Sequence, residues 1–454
     1  MRFYLVVAPE VAAQFTKRHD GIVRNEETTK MLLKEFLDKS TSPYHAVHEV
    51  RELLDAAGFL ELEERDSKNS KGNHYIINDG SLIAWVTPDQ ISSHNSFSIA
   101  AGHTDSPNLR LKPVLKGEQF GLKQFGIEVY GGSLLNTWLD RDLGISGRIV
   151  TSKDGALTER LIKVDKALCR IPQLAIHLDR NVNEKGLTLN PHDHLRPIWS
   201  DTDSEFGTFS DFITKDFVEK NARLESWDLM LHDIQPAQEL GMEKQWISSG
   251  RIDNLVTCHA AVSALIMAKE TTLFNQIPMI CLFNHEEVGS VSSTGAASNF
   301  LPSVIDQICQ DLTLHEKHIL LRKSKLVSAD GAHATHPNYP DRHDLDHKVQ
   351  LNGGIAIKRN SNERYATTAK GQAFAQSLCR EIDVPFQIFS NRSDMSCGST
   401  IGPVASARLG IETIDMGVPQ LAMHSSREIC GLQDVKYLER FLVAFFTSKL
   451  STEI

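Results

Sequence analysis

The sequence predicts a layered α/β protein with a mostly β segment set into it. Three observations carry this. Beyond residue 246, helical periodicity alternates with short apolar runs, as in "DNLVTCHAAVSALIMAK", "PMICLF", "KLVSAD" and "IETIDMG", the pattern of helices layered on a sheet. From about 109 to 245, short alternating strands such as "FGIEVYGG" and "GISGRIVT" stand between Gly-rich turns, followed by long polar loops including "NVNEKGLTLNPHDHLRP", which reads as β structure. The length, 454 residues, exceeds what one simple core accommodates.

In chain order, residues 1–25 read as an N-terminal extension preceding any helical periodicity. In "NEETTKMLLKEFLDKS", Leu32, Leu33, Phe36 and Leu37 share one helical face. In "SPYHAVHEVRELLDAAGF", Ser42 is an N-cap with Pro43 at the first helical position, Val47, Val50 and Leu54 form the stripe, and Gly58 stops it. "YIINDGSLIAWVT" and "SFSIAAGHTD" follow a polar turn as strands. After the β segment, "TAKGQAFAQSLCREI" is a further helix. "VKYLERFLVAFFTSKL" closes the chain with Val435, Leu438, Phe441, Leu442 and Phe445 on one side. No internal repeat or low-complexity tract interrupts this order.

Composition narrows the class. Hydrophobic residues at 41% and charged residues at 23% are ordinary for a globular protein. A formal charge of -10 gives no reason to expect nucleic acid or an anionic membrane as partner. No apolar run reaches the roughly 18 residues that span a bilayer. Cysteines 169, 258, 281, 309, 379, 397 and 430 are scattered, odd in number and never in a CxxC pair. That excludes a Cys-type zinc site, disfavours a disulfide framework and makes a reducing, cytoplasmic location the expectation. Any metal must then be held by His and carboxylates.

Residues of that type sit at the carboxyl ends of the apolar strands, where open α/β sheets place their sites. "SFSIAAG" ends in His103-Thr104-Asp105 and "PMICLF" leads to His285-Glu286-Glu287. "KLVSA" ends in Asp330 with His333 and His336 behind it, and a short loop after "IETIDMG" reaches His424. Asp253 in "RIDNL" opens a helix. Singly, each is an ordinary loop residue or helix cap. Together they form an N/O donor set suited to Zn, Mn or Co. Glu286 and Glu287 pose a specific problem, since adjacent carboxylates repel and lose hydration when sheltered. Their side chains diverge from consecutive positions. One can therefore ligate a cation while its neighbour serves as general base.

Six motifs in order, "AGHTDSPNLRLKP", "RIDNL", "NHEEVGS", "SADGAHATHPNYPDRH", "CGSTIGP" and "QLAMHSSREICG", together resemble the aspartyl aminopeptidases, a family of dinuclear zinc exopeptidases. The likeness runs from about residue 26 to the C-terminus. It implies a three-layer metallopeptidase domain with a mixed central sheet, discontinuous over 26–108 and 246–454, and an inserted dimerisation and lid domain over 109–245. It implies two divalent ions per subunit, zinc in the first place with Mn2+ or Co2+ as alternatives, held by His103, Asp253 as the bridge, Glu287, Asp330 and His424. Asp105 would orient His103 and Glu286 would be the general base. The resemblance brings His177 to a neighbouring subunit's site to stabilise an oxyanion, with direct metal coordination left open. On sequence alone His177 is a half-buried strand histidine.

Lys358 in "GGIAIKRNSNERYA" resembles the lysine that pairs with an acidic substrate side chain; otherwise it is a solvated lysine on a strand edge. Gly398 and Ser399 are expected to line the substrate pocket with backbone groups. His333 and His336 are weaker candidates, for the surroundings of the site or for a subunit contact. The reaction implied is removal of an N-terminal Asp or Glu from a peptide by water activated between two metals, in a homo-oligomer built of dimers into a dodecamer. Two alternatives stand beside it. One is a dinuclear hydrolase for neutral N-terminal residues or acylated amines. The other is a non-catalytic oligomeric scaffold.

Overall fold

The computed structural model describes residues 32–63, 71–115, 117–205, 207–271 and 275–448. The 1–25 extension expected from sequence lies outside these residues. A nine-stranded mixed sheet forms the centre. Its order is Leu60–Glu61, Asn73–Asn78, Ser81–Val86, Gln276–Phe283, Ser96–His103, Lys325–Ala329, Glu412–Gly417, Ile355–Arg359 and Phe386–Ser390. The four strands from Gln276–Phe283 to Glu412–Gly417 run parallel. Phe283 pairs with His103, and Ala329 with Met416, so their carboxyl ends terminate side by side.

Period-two alternation divides the strands between two cores. On Gln276–Phe283, Ile280 and Leu282 enter a core with Phe36, Val50, Leu255 and Phe441. Ile277, Met279, Cys281 and Phe283 enter the opposite one, with Phe300, Val304 and Ile401. Helices Pro43–Ala56, Ile252–Lys269, Ala369–Glu381 and Leu432–Thr447 cover the first face; Phe300–Ile308, Leu314–Lys323 and Ile401–Leu409 cover the second. This burial on both sides is why Ile277 to Phe283 reads as an unbroken apolar run. Ser42 caps Pro43–Ala56 by accepting the His45 N–H, as its sequence predicts.

The residues between Asn108 and Asp233 build a separate five-stranded sheet, ordered Ala156–Cys169, Leu143–Lys153, Arg223–Asp233, Asn108–Leu111 and Ile127–Tyr130. It has its own core around Leu143, Ile145, Ile149, Phe209 and Leu231. A further sheet runs Gln238–Leu240, Trp246–Ser249, Glu428–Gly431, Pro419–Leu421 and Ala332–His333. It fastens the approach to Asp253 against the segment that carries His424.

Candidate metal centre

His103 is the last residue of its strand and 1% exposed. Its Nδ1 lies 3.0 Å from the Asp105 main-chain oxygen, so Nδ1–H donates there and Nε2 is turned toward the other carboxylates. Nε2 stands 3.3 Å from Asp253 Oδ1 and 3.6 Å from Asp330 Oδ1. The sequence assigned the orientation of His103 to the Asp105 side chain, but the main-chain carbonyl makes the shorter contact; the nearer carboxylate oxygen is at 3.5 Å. That carboxylate is occupied elsewhere. It accepts the Tyr130 hydroxyl at 2.6 Å and the N–H groups of Glu286 and Glu287, both at 3.1 Å. Burial opposes its charge, yet His103, Tyr130 and the Glu287 N–H hold its pKa below the usual carboxylate value.

Asp253 opens a helix, as the sequence suggests, but without helical torsions. It lies at the start of Ile252–Lys269 with φ -80° and ψ 105°, before a cis peptide bond to Asn254. The Asn254 and Thr257 side chains of this helix pack directly on Gly102, where a Cβ would meet Asn254 Oδ1 and Thr257 Cγ2 at 2.8 Å; only glycine lets the helix lie this close. Asn254 then donates to Asp330 Oδ1 at 3.0 Å. Asp253 turns its two oxygens to different imidazoles, Oδ1 to His103 and Oδ2 to His424 Nε2 at 3.6 Å. Glu287 Oε2 is 3.5 Å from the same His424 nitrogen.

Asp330 follows Lys325–Ala329 directly, its N–H bonded to the Met416 carbonyl at 2.8 Å. Gly417 makes room for it, since a Cβ would fall 1.7 Å from the Asp330 oxygen. His424 has φ 67° and places Nδ1 3.2 Å from the Gly132 carbonyl. Glu286 and Glu287 occupy a short 3-10 turn, Glu286–Val288.

Three ligand-type groups result: His103, Asp253 and Asp330; His103, Glu286 and Glu287; Asp253, Glu287 and His424, each with atoms within 4.8 Å of one another. The electrostatics describe a site with too many carboxylates for its burial. Burial, then the charges of Asp330, Asp105 and Asp253, raise Glu286 to about 8 against the pull of His103. Burial, then Asp253, raises Glu287 well above its ordinary value. Burial disfavours the His424 cation, but Asp253 and Glu287 outweigh it and bring its pKa to about 10. Asp253 Oδ1 and Glu287 Oε1 are buried with no hydrogen-bond partner among the described residues. Orphaned carboxylate oxygens beside outward imidazole nitrogens fit divalent cations with N/O preference. The nearby thiol is not a ligand, for Cys258 Sγ donates to the His103 carbonyl at 3.1 Å.

Five predicted metal ligands and Glu286 thus come together, with Asp105 behind them. Other candidates stand apart. His177 is exposed on the loop after Ile171, which corrects the half-buried strand histidine, and it joins none of the three groups of its own chain. Lys358 is not a solvated edge residue. It is 1% exposed within the sheet, its Nζ donating to the Gly331 carbonyl at 3.0 Å and lying 3.9 Å from Asp330 Oδ2, over the Tyr365 ring. Gly398 and Ser399 are exposed on the loop preceding Ile401–Leu409. His333 meets Phe389 edge-on and His336 packs on Tyr339. The sequence reading missed Tyr130, Asn254, Gly132 and Glu428. Asn254 and Glu428 lie inside quoted motifs, but nothing in their residue type marks them, because each of the four acts on a site residue through hydrogen bonds or the main chain.

A family model described as aminopeptidase I zinc metalloprotease (M18) matches residues 36–446. A relative from Streptomyces coelicolor, named probable M18 family aminopeptidase 2, is 41% identical over 418 residues, covering 91% of this chain and 96% of its own. A chain of the cryo-EM structure of the Ape4 and Nbr1 complex aligns with TM-score 0.87 at 35% identity, over 91% of this chain and 84% of that one. The S. cerevisiae mApe1 dodecamer aligns with TM-score 0.80 at 28% identity, over 96% and 98%. With the family model spanning nearly all of the described residues, and His and carboxylate side chains gathered where the parallel strands end, the chain belongs to the M18 family of zinc metallo-aminopeptidases.

Proposed function

We propose that this aminopeptidase removes N-terminal Asp or Glu from peptides at a site holding two divalent ions, zinc by preference, with Mn2+ or Co2+ able to substitute. The observation that carries the two-ion reading is Asp253, whose oxygens face His103 and His424 separately. His103, Asp253 and Asp330 would hold one ion; Asp253, Glu287 and His424 the other. Bound there, the ions would polarise the scissile carbonyl and lower the pKa of the attacking water to about 7.

Glu286 is the general base in this reading. Its main-chain N–H is fixed to Asp105, and its side chain borders the cluster without being needed to complete either three-residue ligand group that contains Asp253. It takes a proton from water and returns it to the leaving amine. Burial, then the cluster's own charges, brings its pKa to about 8, and added cations would draw it down toward the range of a base ionised at neutral pH.

His177 acts from a second copy of the chain. It is exposed here between Leu174, Ile176 and Leu178, themselves 59%, 47% and 74% exposed, an apolar run that asks for a partner surface. The proposed assembly is a dodecamer of dimers, with 109–245 as the inserted dimerisation and lid unit on a catalytic unit of 26–108 and 246–454. The described cysteines are all free, in keeping with a reducing cytoplasmic location. Gly398 and Ser399 would meet the substrate from their exposed loop.

One observation favours the alternative of a neutral N-terminal residue. The Lys358 ammonium is nearly inaccessible and already bonded to Gly331. A panel of aminoacyl amides, assayed with and without chelator alongside metal analysis, decides. Asp and Glu amides should lead and chelation should abolish turnover, with two metal equivalents per chain. Equal turnover of Ala or Leu amides would overturn the acidic preference, and full activity in metal-free protein would overturn the metal mechanism.

A further inference from the structure

Glu428 begins the Glu428–Gly431 strand opposite Ser249 and is 1% exposed. Its Oε2 accepts the main-chain N–H of Asp253 at 3.0 Å, and its Oε1 accepts the main-chain N–H of His424 at 2.7 Å. Among the described residues no lysine or arginine stands within ion-pair distance of it. A desolvated carboxylate without a cation is a costly device for joining two loops. The two bonds explain the residue type. Both donors are N–H groups, and they need two acceptor oxygens on one rigid plane. A glutamine offers one acceptor and turns an NH2 donor toward the other N–H.

The two residues so joined lie 171 positions apart in numbering, and each faces the other across the site, Asp253 Oδ2 against His424 Nε2. Resting on the metal-site reading above, we infer that Glu428 is the positioning residue that sets this separation and thereby the affinity of the ion shared by Asp253, Glu287 and His424. His103 and Asp330 are held by other bonds, to the Asp105 carbonyl and to Asn254. The ion on their side should be less sensitive. The carboxylate also adds negative charge behind two ligands, which favours a bound cation.

The test is zinc titration of metal-stripped protein against a chromophoric chelator, together with thermal unfolding of stripped and zinc-loaded forms, for wild type and Glu428→Gln. Partners behind ligands are worth roughly 10–100-fold in metal affinity. The expected result is two zinc equivalents in both proteins, one of them bound about 10–100-fold more weakly in the variant, and a smaller rise in Tm on loading. Two equivalents with unchanged affinity in Glu428→Gln, whatever its Tm when stripped, would overturn the inference. If Glu428→Gln does not fold, Glu428→Asp keeps both oxygens but draws them back by one methylene. An intermediate loss at one equivalent supports the inference, and wild-type affinity at both overturns it. Wild-type protein that binds no zinc would instead defeat the metal-site reading itself.

Discussion

Replacing Asp105 by Asn changes two atoms' worth of chemistry at a fully buried position. In the native protein Oδ2 accepts from Tyr130 and the Glu287 N–H, while Oδ1 accepts from the Glu286 N–H. An amide supplies one acceptor. In its better orientation it keeps the Tyr130 and Glu287 bonds as neutral ones and sets an NH2 against the Glu286 N–H. Charge-assisted bonds contribute about 1.5–3 kcal/mol and neutral ones about 0.5–1.5, so the two retained bonds lose roughly 1 kcal/mol each. The orphaned N–H costs roughly 1–3 kcal/mol more. The sum, about 3–5 kcal/mol, falls on the turn that carries Glu286, the proposed base. Because the native pKa is lowered, the charge is stabilised in place, and its removal brings no compensating relief. A base displaced by about 1 Å loses on the order of 100-fold in rate. Steady-state kinetics on an aspartyl amide should therefore show kcat down by about 100–1,000-fold with KM little moved. Tyr130→Phe removes one bond and spares both N–H groups, so it should stay within about tenfold of wild type. A kcat for Asp105→Asn within a factor of about three of wild type, or a Tyr130→Phe effect as large as that of Asp105→Asn, would refute this account.

Glu286→Gln should keep its metal content yet lose turnover by about 100–10,000-fold, the usual worth of a positioned base; activity within about tenfold removes the base assignment. Lys358→Ala should abolish the preference for acidic over neutral aminoacyl amides, and a preserved ratio would retire the acidic pocket. Acid stability should depend on His45, where burial, then the charge of Lys163, lowers the pKa from 6.5 to about 3. The unfolded chain takes up a proton first as pH falls, so stability is intact above about 6.5 and lost progressively down to about 3, by at most about 5 kcal/mol. Denaturant unfolding of His45→Gln across that window should show a shallower slope than wild type; identical slopes would exclude His45 as a source.

What the sequence disclosed followed from periodicity. From Ile277 to Phe283 the strand is apolar at every position because both faces are covered, and its end was readable as the place where polarity returns. That reasoning located His103, Glu286, Glu287 and Asp330, whose side chains themselves do the gathering. It failed where a residue's conformation or bonding decides its role. Asp253 reads as an ordinary residue at a helix start, which it is, but its two oxygens turn to different imidazoles. Lys358, of a type that is mostly solvated, is buried because Tyr365, Gly331 and Asp330 close over the face its side chain projects from. Glu428 and Gly132 act on ligand residues through the main chain, which imposes no pattern of side-chain types. The sheet joining Trp246–Ser249 to Glu428–Gly431 was equally hidden, since its two strands lie far apart in the sequence.

The stretch from Tyr130 to Thr137 sits in the run of residues with β texture, yet it touches the metal centre at several points. Tyr130 holds Asp105, the Gly132 carbonyl faces His424 Nδ1, Leu134 N–H bonds the His424 carbonyl, and Thr137 Oγ1 accepts from Ser426 N–H. A shortened protein made by splicing the flanking segments together would delete the bonds that hold Asp105 and His424 in place. Miniaturised versions of this enzyme must carry that strip along, and loss or gain of the neighbouring β module during evolution would have had to leave it behind.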